Sequence, residues 1–555
     1  MENCIRIKFL SSLEKCFLDE KIEDKAETKE FFMFGNQKLA FQMAMFDDGE
    51  PKIRTTQAKL KIEGEIAGFV SVKQITSVPS VYPVCPANTD DNYLRSVPGL
   101  YPDLIEPLQY RETVMIPNKT LYVLWFEIRL PKGYKSGKFD LNITLTSDKG
   151  EELAGGSVTV NVIYAVLPPQ KTIHTEWFYA DCLADYYNVK VFSEKHWRII
   201  ENFIKCASEN GVNLILTPVF TPALDTYIGG ERLTVQLVDI EVVSEGKYKF
   251  GYEKLSRWVD ICLKHGIDKF EIPHFFTQWG AKHAPKIIGK VNGKAKRIFG
   301  WETDSHGECY KNFLSQFIPG LIEFFRGRGL DKNCYFHISD EPSLKDIDTY
   351  TECRNLVAPY LEGYTIMDAL SDYDFYEKGV LSCPIPAIKK IQPFLENKVE
   401  GLWAYYCGAN GCSVYTNRFL SMPLGRVRIL GVQMYLFKIK GFLHWGFNYY
   451  NNQRSYDRVN PFLDTTGNFF APSGDTFLVY PGYNGTPLES LRLNAMREAM
   501  EDIRMLELCE SVRGREFTEN LVLKAAGGKL TFAEYPTSPE FFAQMTKEVF
   551  IALQR

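Results

Sequence analysis

Eight short apolar stretches, separated by intervals that mostly carry a helical pattern, recur between residues 172 and 447, and no other feature narrows the fold so far. They lie at 172–179, 212–217, 269–274, 334–338, 364–367, 380–384, 401–406 and 441–447. In 196–209, Trp197, Ile200, Phe203, Ile204 and Ala207 share one face at helical spacing, and 252–265 and 310–326 repeat the pattern. Strands alternating with helices build a parallel sheet, because each parallel connection needs a crossover. Eight such units predict an α/β chain with a (β/α)8 barrel of the TIM type. The interval between the fifth and sixth strands is short for a helix. An open doubly wound sheet is the competing arrangement, but no GxGxxG follows the first strand.

The chain has 555 residues, too many for one core. Its first part reads as all-β. Alternating segments at 60–66, 121–130, 138–145 and 157–164 are separated by turn clusters such as Pro131-Lys132-Gly133 and Asp148-Lys149-Gly150. This predicts an N-terminal β-sandwich domain over 1–166. The Pro- and Tyr-rich stretch 79–110 predicts a long irregular loop. Leu167-Pro168-Pro169-Gln170 reads as a linker, 170–510 as the barrel, and 511–555 as a C-terminal extension ending in a helix over 539–553.

Composition excludes several classes. The net charge is -5 and no basic stripe stands out, which argues against a nucleic-acid partner. No apolar run approaches the ~20 residues of a membrane span, and residues 1–10 read as a strand, not a signal peptide. The 13 cysteines are scattered without a CxxC pair. They suggest neither a zinc site nor a disulfide framework, and a reducing, cytoplasmic setting. Aromatic residues make up 14%, and Trp and Tyr faces suit stacking on sugar rings as well as they suit a large core.

In a barrel of this kind the working residues sit at the C-terminal ends of the strands. Those ends offer Trp177, Tyr179 and Asp181; Asp225; His274, Gln278 and Trp279; His337, Asp340 and Glu341; Asp368; Tyr405 and Tyr406; His444, Trp445 and Asn448; then Asp475. The sharpest stretch is Phe336-His337-Ile338-Ser339-Asp340-Glu341-Pro342, two acids side by side where an apolar strand stops. The plainer reading is that one of them caps the next helix; their place at a strand end favours chemistry. Neighbouring side chains in extended backbone point to opposite sides. They do not easily form the pair of a retaining glycosidase, acid and nucleophile ~5 Å apart across one anomeric carbon. They can serve neighbouring parts of one sugar. Glu341 protonates the glycosidic oxygen, and Asp340 holds the N–H of a 2-acetamido group whose carbonyl oxygen attacks the anomeric carbon. The Asp340 anion favours a protonated Glu341. His274 and His337 lack a third ligand at convincing spacing, so no metal is expected, and no cofactor.

Several stretches carry a resemblance. They are His174-Thr-Glu-Trp-Phe178 with Asp181-Cys-Leu-Ala-Asp-Tyr-Tyr187, Leu216-Thr-Pro-Val-Phe-Thr-Pro-Ala-Leu-Asp-Thr226, Gly230-Glu-Arg-Leu-Thr-Val-Gln-Leu-Val238, His337-Ile-Ser-Asp-Glu-Pro342, Phe442-Leu-His-Trp-Gly-Phe-Asn-Tyr449, Gly474-Asp-Thr-Phe-Leu-Val-Tyr-Pro-Gly482, Ser490-Leu-Arg-Leu-Asn-Ala-Met-Arg497 and Glu501-Asp502. Through them most of 170–510 resembles glycoside hydrolase family 123 and the related domain of unknown function 4091. The resemblance implies a β-sandwich before the barrel. It also implies a retaining β-N-acetylgalactosaminidase that uses the 2-acetamido group, with Asp340 as stabiliser and Glu341 as acid/base. Around them Trp445 is a candidate platform under the sugar, and Trp177 or Trp279 a candidate for the rim, with core packing the alternative for each. Asp475 is expected on sugar hydroxyls or as a cap of the following segment, and Tyr406 on the acetamido oxygen, with His274, His337 and Asn448 lining the site. The expected partner is a carbohydrate, a β-N-acetylhexosaminide. Two alternatives stay open: a glycosidase without acetamido participation, with Asp368 or Asp181 as nucleophile, and a non-catalytic glycan-binding protein.

Overall fold

The computed structural model describes residues 4–49, 55–85, 89–110, 112–278, 280–408 and 414–554. Residue contacts divide the chain into two compact units. One comprises Met1–Gln170, Thr416–Leu436 and Leu488–Arg555; the other comprises Lys171–Tyr415 and Phe437–Pro487.

The first unit holds two largely antiparallel sheets. One runs Ile5–Ser11, Lys38–Asp47, Tyr122–Arg129, Val70–Ser80, Gly99–Pro107, each strand antiparallel to the next. The other runs Glu30–Phe34, Glu152–Ile163, Gly137–Thr146, Thr55–Glu63, Thr113–Pro117, and only its first pair is parallel. Period-two alternation explains why they face each other. In Gly137–Thr146 the inward positions are Phe139, Leu141, Ile143 and Leu145, and they join Phe9, Phe41, Met43 and Phe126 of the other sheet in one buried cluster. Each such side chain contributes roughly 1.5–3 kcal/mol by leaving water. The expected loop at 79–110 is corrected: Gly99–Pro107 is a strand that pairs with Val70–Ser80 and buries Tyr101, Leu104 and Ile105.

Later segments complete this unit. Helix Leu491–Arg513 is buried along most of its length. Its Arg492 forms a fully buried ion pair with Asp103 at 2.8 Å. Gly431, in helix Leu424–Leu436, lies so near Ala499 that a Cβ would stand 2.0 Å from the Ala499 carbonyl oxygen, so only glycine fits that crossing. The terminal helix is Pro539–Gln554. Cys85 is disulfide-bonded.

The second unit is a nearly closed parallel barrel of eight strands. In chain order they are Ile173–Glu176, Leu214–Leu216, Lys269–Ile272, Cys334–Phe336, Thr365–Ala369, Cys383–Ile385, Trp403–Tyr405 and Gly441–His444. Each lies beside its chain neighbour from the first to the sixth, the eighth pairs with the first and the seventh with the eighth. A bridge from Ala387 to Tyr405 spans the remaining gap. All eight sequence-derived strands are present, each centred on a few residues. Leu214–Leu216 is buried throughout, as strands covered on both faces must be. A four-stranded sheet that the sequence reading did not anticipate is built from two hairpins, Asp239–Ser244 with Lys247–Gly251 and Ile287–Val291 with Lys294–Phe299. No helix among the described residues is long and apolar enough to cross a membrane.

Candidate active site

The fourth barrel strand ends at Phe336, and the chain continues through His337 to Asp340 and Glu341 at the rim. Glu341 has φ +46°, left-handed backbone that costs a residue with a Cβ roughly 1–2 kcal/mol. Such strain persists where the surroundings over-determine it, and it clusters at working sites. It also breaks simple alternation. Asp340 stays buried at 6% exposure, while Glu341 is exposed. Neither acid caps the next helix. That task falls to Ser343 and Asp346, whose Oδ2 accepts from the Ser343 backbone N–H and hydroxyl at 3.3 and 2.7 Å.

The two carboxyls differ in setting. Asp340 Oδ2 accepts from Gln278 Nε2 at 2.6 Å, and no donor among the described residues reaches Oδ1. Burial and then the neighbouring Glu341 charge push the Asp340 carboxyl up to about 8. Glu341 Oε1 accepts from the Tyr405 hydroxyl at 2.8 Å. Glu341 looks into an open cleft of about 530 Å³ that Ser371, Tyr373, Lys390 and Tyr405 also line.

Beneath the pair lies a charged network with no access to solvent. His337 Nδ1 lies 2.9 Å from Asp368 Oδ1, and Nε2 lies 2.7 Å from Glu271 Oε1. Burial alone would depress His337, but the two carboxylates outweigh it and hold the imidazole up to about 10, so it is a cation. Glu271 also accepts from Trp177 Nε1 at 2.7 Å and from Thr175 Oγ1 at 2.5 Å. Asp368 accepts from the Tyr350 hydroxyl at 2.6 Å and from the Ile338 N–H. The His274 ring packs on His337 with centroids 4.3 Å apart. Burial, and then the His337 cation, hold His274 well below its ordinary value, so it is neutral. His274, His337 and Asp368 do bring potential ligand atoms within 4.8 Å of one another, a third ligand the sequence reading did not find. They do not fit a metal, because both His337 nitrogens are spent on carboxylates. Glu271→Ala would leave the His337 cation with one partner and the Trp177 N–H with none. We expect it to destabilise the protein by about 3–5 kcal/mol, read by urea unfolding.

On the eighth-strand side, half-buried Trp445 donates from Nε1 to Asp475 Oδ2 at 3.0 Å, and Asp475 Oδ1 lies 3.3 Å from His444 Nε2. The Tyr406 ring meets His444 edge-on at 5.4 Å. Asn448 is fully buried and closes both ends of its amide on the Tyr179 backbone at 2.9 and 3.0 Å, so it joins two strand ends and presents no group to a ligand. Trp177 is buried against His274 and His337 and forms wall, not rim. Trp279 lies outside the described residues. Asp181 is locked in a buried two-point ion pair with Arg232 at 2.7 and 2.8 Å. The sequence reading missed Glu271, although a lone acid between Phe270 and Ile272 in an apolar strand is a signal, since a buried acid needs partners.

A family model described as the glycoside hydrolase 123 catalytic domain matches residues 177–509. Among solved structures, the chain is similar to a family 123 glycoside hydrolase from Clostridium perfringens, described for glycolipid glycan hydrolysis. The TM-score is 0.73 at 16% identity, with 99% of each chain covered. A β-glucuronidase from Parabacteroides merdae aligns at a TM-score of 0.30 and 9% identity over 85% of this chain and 50% of that one, too weakly to carry an argument. No curated protein matches the sequence.

Proposed function

We propose, from the premise that the chain belongs to glycoside hydrolase family 123, that this glycoside hydrolase removes β-linked N-acetylgalactosamine, or a related N-acetylhexosamine, with retention and with help from the substrate's own acetamido group. The observation that carries the reading is the contrast within one dipeptide. Asp340 is buried, with no donor among the described residues on its Oδ1, and Glu341 is exposed to the cleft.

In this mechanism Glu341 gives its proton to the glycosidic oxygen as the acetamido carbonyl oxygen bonds to the anomeric carbon. The bond to the leaving group breaks, and an oxazolinium forms with its N–H held by Asp340 Oδ1. Glu341 then takes a proton from water as that water attacks the anomeric carbon, which reopens the ring with retained configuration. The donated N–H favours the Asp340 anion when substrate is bound. Acetamido participation also accounts for the absence of a free second carboxylate among the candidates. Asp181 is spent on Arg232, and Asp368 on His337 and Tyr350. A purely binding protein has no use for this pair. Trp445, braced by Asp475, is the platform we assign under the sugar, with Tyr406, His274 and His337 behind it. A glycolipid glycan, the substrate named for the Clostridium perfringens enzyme, fits this chemistry. We take the parallel barrel of Lys171–Tyr415 and Phe437–Pro487 as a (β/α)8 barrel, and the two sheets of the first unit as a β-sandwich.

The test is hydrolysis of nitrophenyl β-N-acetylgalactosaminide, β-N-acetylglucosaminide and β-galactoside. We expect cleavage of the acetamido sugars alone, with the galacto epimer faster. Equal cleavage of the plain galactoside would refute the mechanism.

The buried acid adds a pH prediction. Folding raises the Asp340 carboxyl from 3.8 to about 8. The folded state therefore binds the proton more tightly, and this stabilisation is complete below about pH 4 and lost as pH rises through 8. Asp340→Asn keeps the shape without the charge. We expect its melting temperature to exceed that of the wild type by a margin that grows from pH 5 to pH 8. A constant margin would refute the assignment.

A further inference from the structure

We infer that Gln278 is a positioning residue for this reaction, holding Asp340 Oδ2 so that Oδ1 alone meets the substrate's acetamido N–H. The inference rests on the function proposed above and deepens it.

The geometry fixes the amide's direction. Gln278 Oε1 accepts from the Asp225 backbone N–H at 2.6 Å. A backbone N–H can only donate, so the carboxamide cannot be reversed, and Nε2 must face the other way. There it meets Asp340 Oδ2, also at 2.6 Å. Asp225 is itself anchored. Its φ is +43°, its Oδ2 accepts from the Tyr449 hydroxyl at 2.5 Å and the Arg454 N–H at 3.0 Å, and its carbonyl accepts from Ser455 Oγ at 2.8 Å. The loops after the second and eighth strands thus set the peptide that aims Gln278, and Gln278 sets Asp340. Without that donor the carboxyl has a broad, nearly free terminal torsion. Gln278 is half-buried at the rim, so an apolar side chain of similar length can replace it without opening a core cavity.

The experiment compares Gln278→Met and Gln278→Glu with wild type on whichever nitrophenyl glycoside the wild type hydrolyses, over pH 4–9. For Gln278→Met we expect kcat to fall about tenfold to a hundredfold, with KM changed less than about threefold. The acidic limb of the pH profile should move to higher pH, because the anion loses a donor. Gln278→Glu places an acid against an acid and should move that limb further while the fold, followed by circular dichroism, is kept. If Gln278→Met keeps the wild-type kcat and an unmoved limb, the inference is wrong. Should it fold poorly, the limb measured for Gln278→Glu decides in the same way. The wild type's choice between acetamido and plain sugars tests the underlying function separately, so the two failures are distinguishable.

Discussion

Asp340→Ala lowers kcat on an N-acetylgalactosaminide by about a thousandfold, and by a similar factor whatever the leaving group. The reason lies in where its charge acts. In the proposed mechanism Asp340 touches only the acetamido side of the sugar, where positive charge develops as the oxazolinium forms. Removing one preorganised partner of a developing charge costs roughly 10²–10³ in rate. The leaving group departs on the other side, so its basicity does not alter the loss. A series of aryl glycosides of graded acidity checks this. Parallel lines for wild type and variant are expected, and a loss that shrinks with better leaving groups would contradict the assigned role.

Glu341→Ala should give the opposite pattern. A general acid contributes about 10²–10⁴-fold, and only where the departing oxygen needs a proton. We expect a loss near the upper end of that range for a saccharide leaving group and a loss below about tenfold for dinitrophenyl. Glu341 is exposed on the cleft, and its Oε1 accepts from the Tyr405 hydroxyl. If the first step on the dinitrophenyl substrate is spared, azide should speed the second, since a small anion can replace the water that Glu341 no longer activates.

Much of this was legible in the sequence because burial on both faces leaves a continuous apolar signature. Ile215 and Phe270 announce their strands without partners in view. The Asp340-Glu341-Pro342 stretch was legible for the same reason: two acids interrupt an apolar run. Other features were hidden. Pro102 and Pro107 disguise strand Gly99–Pro107, which gains its place from pairing with Val70–Ser80. The accessory sheet was missed although Asn292-Gly293, with φ of +49° and +78°, is the signal of a two-residue hairpin. Charge states were beyond reach. His337 is a cation only because acids 31 and 66 residues away converge on its ring. The aim of Gln278 is likewise set by a loop distant in sequence, through the Asp225 N–H.

The division of the chain has a consequence for how the protein is made. The unit that begins the chain is completed by Thr416–Leu436 and Leu488–Arg555. A ribosome working at roughly 5–20 residues per second reaches the last of these segments about 15–60 s after residue 170. During that interval Asp103 has no Arg492, and Lys38 and Lys73 share the single carboxylate of Glu127 without Glu489. Burying such charges unpaired costs several kcal/mol, so they remain hydrated. The sheets that are synthesised first are therefore sealed last, and until then their unmatched charges keep the open surface wetted and discourage it from sticking to other nascent chains.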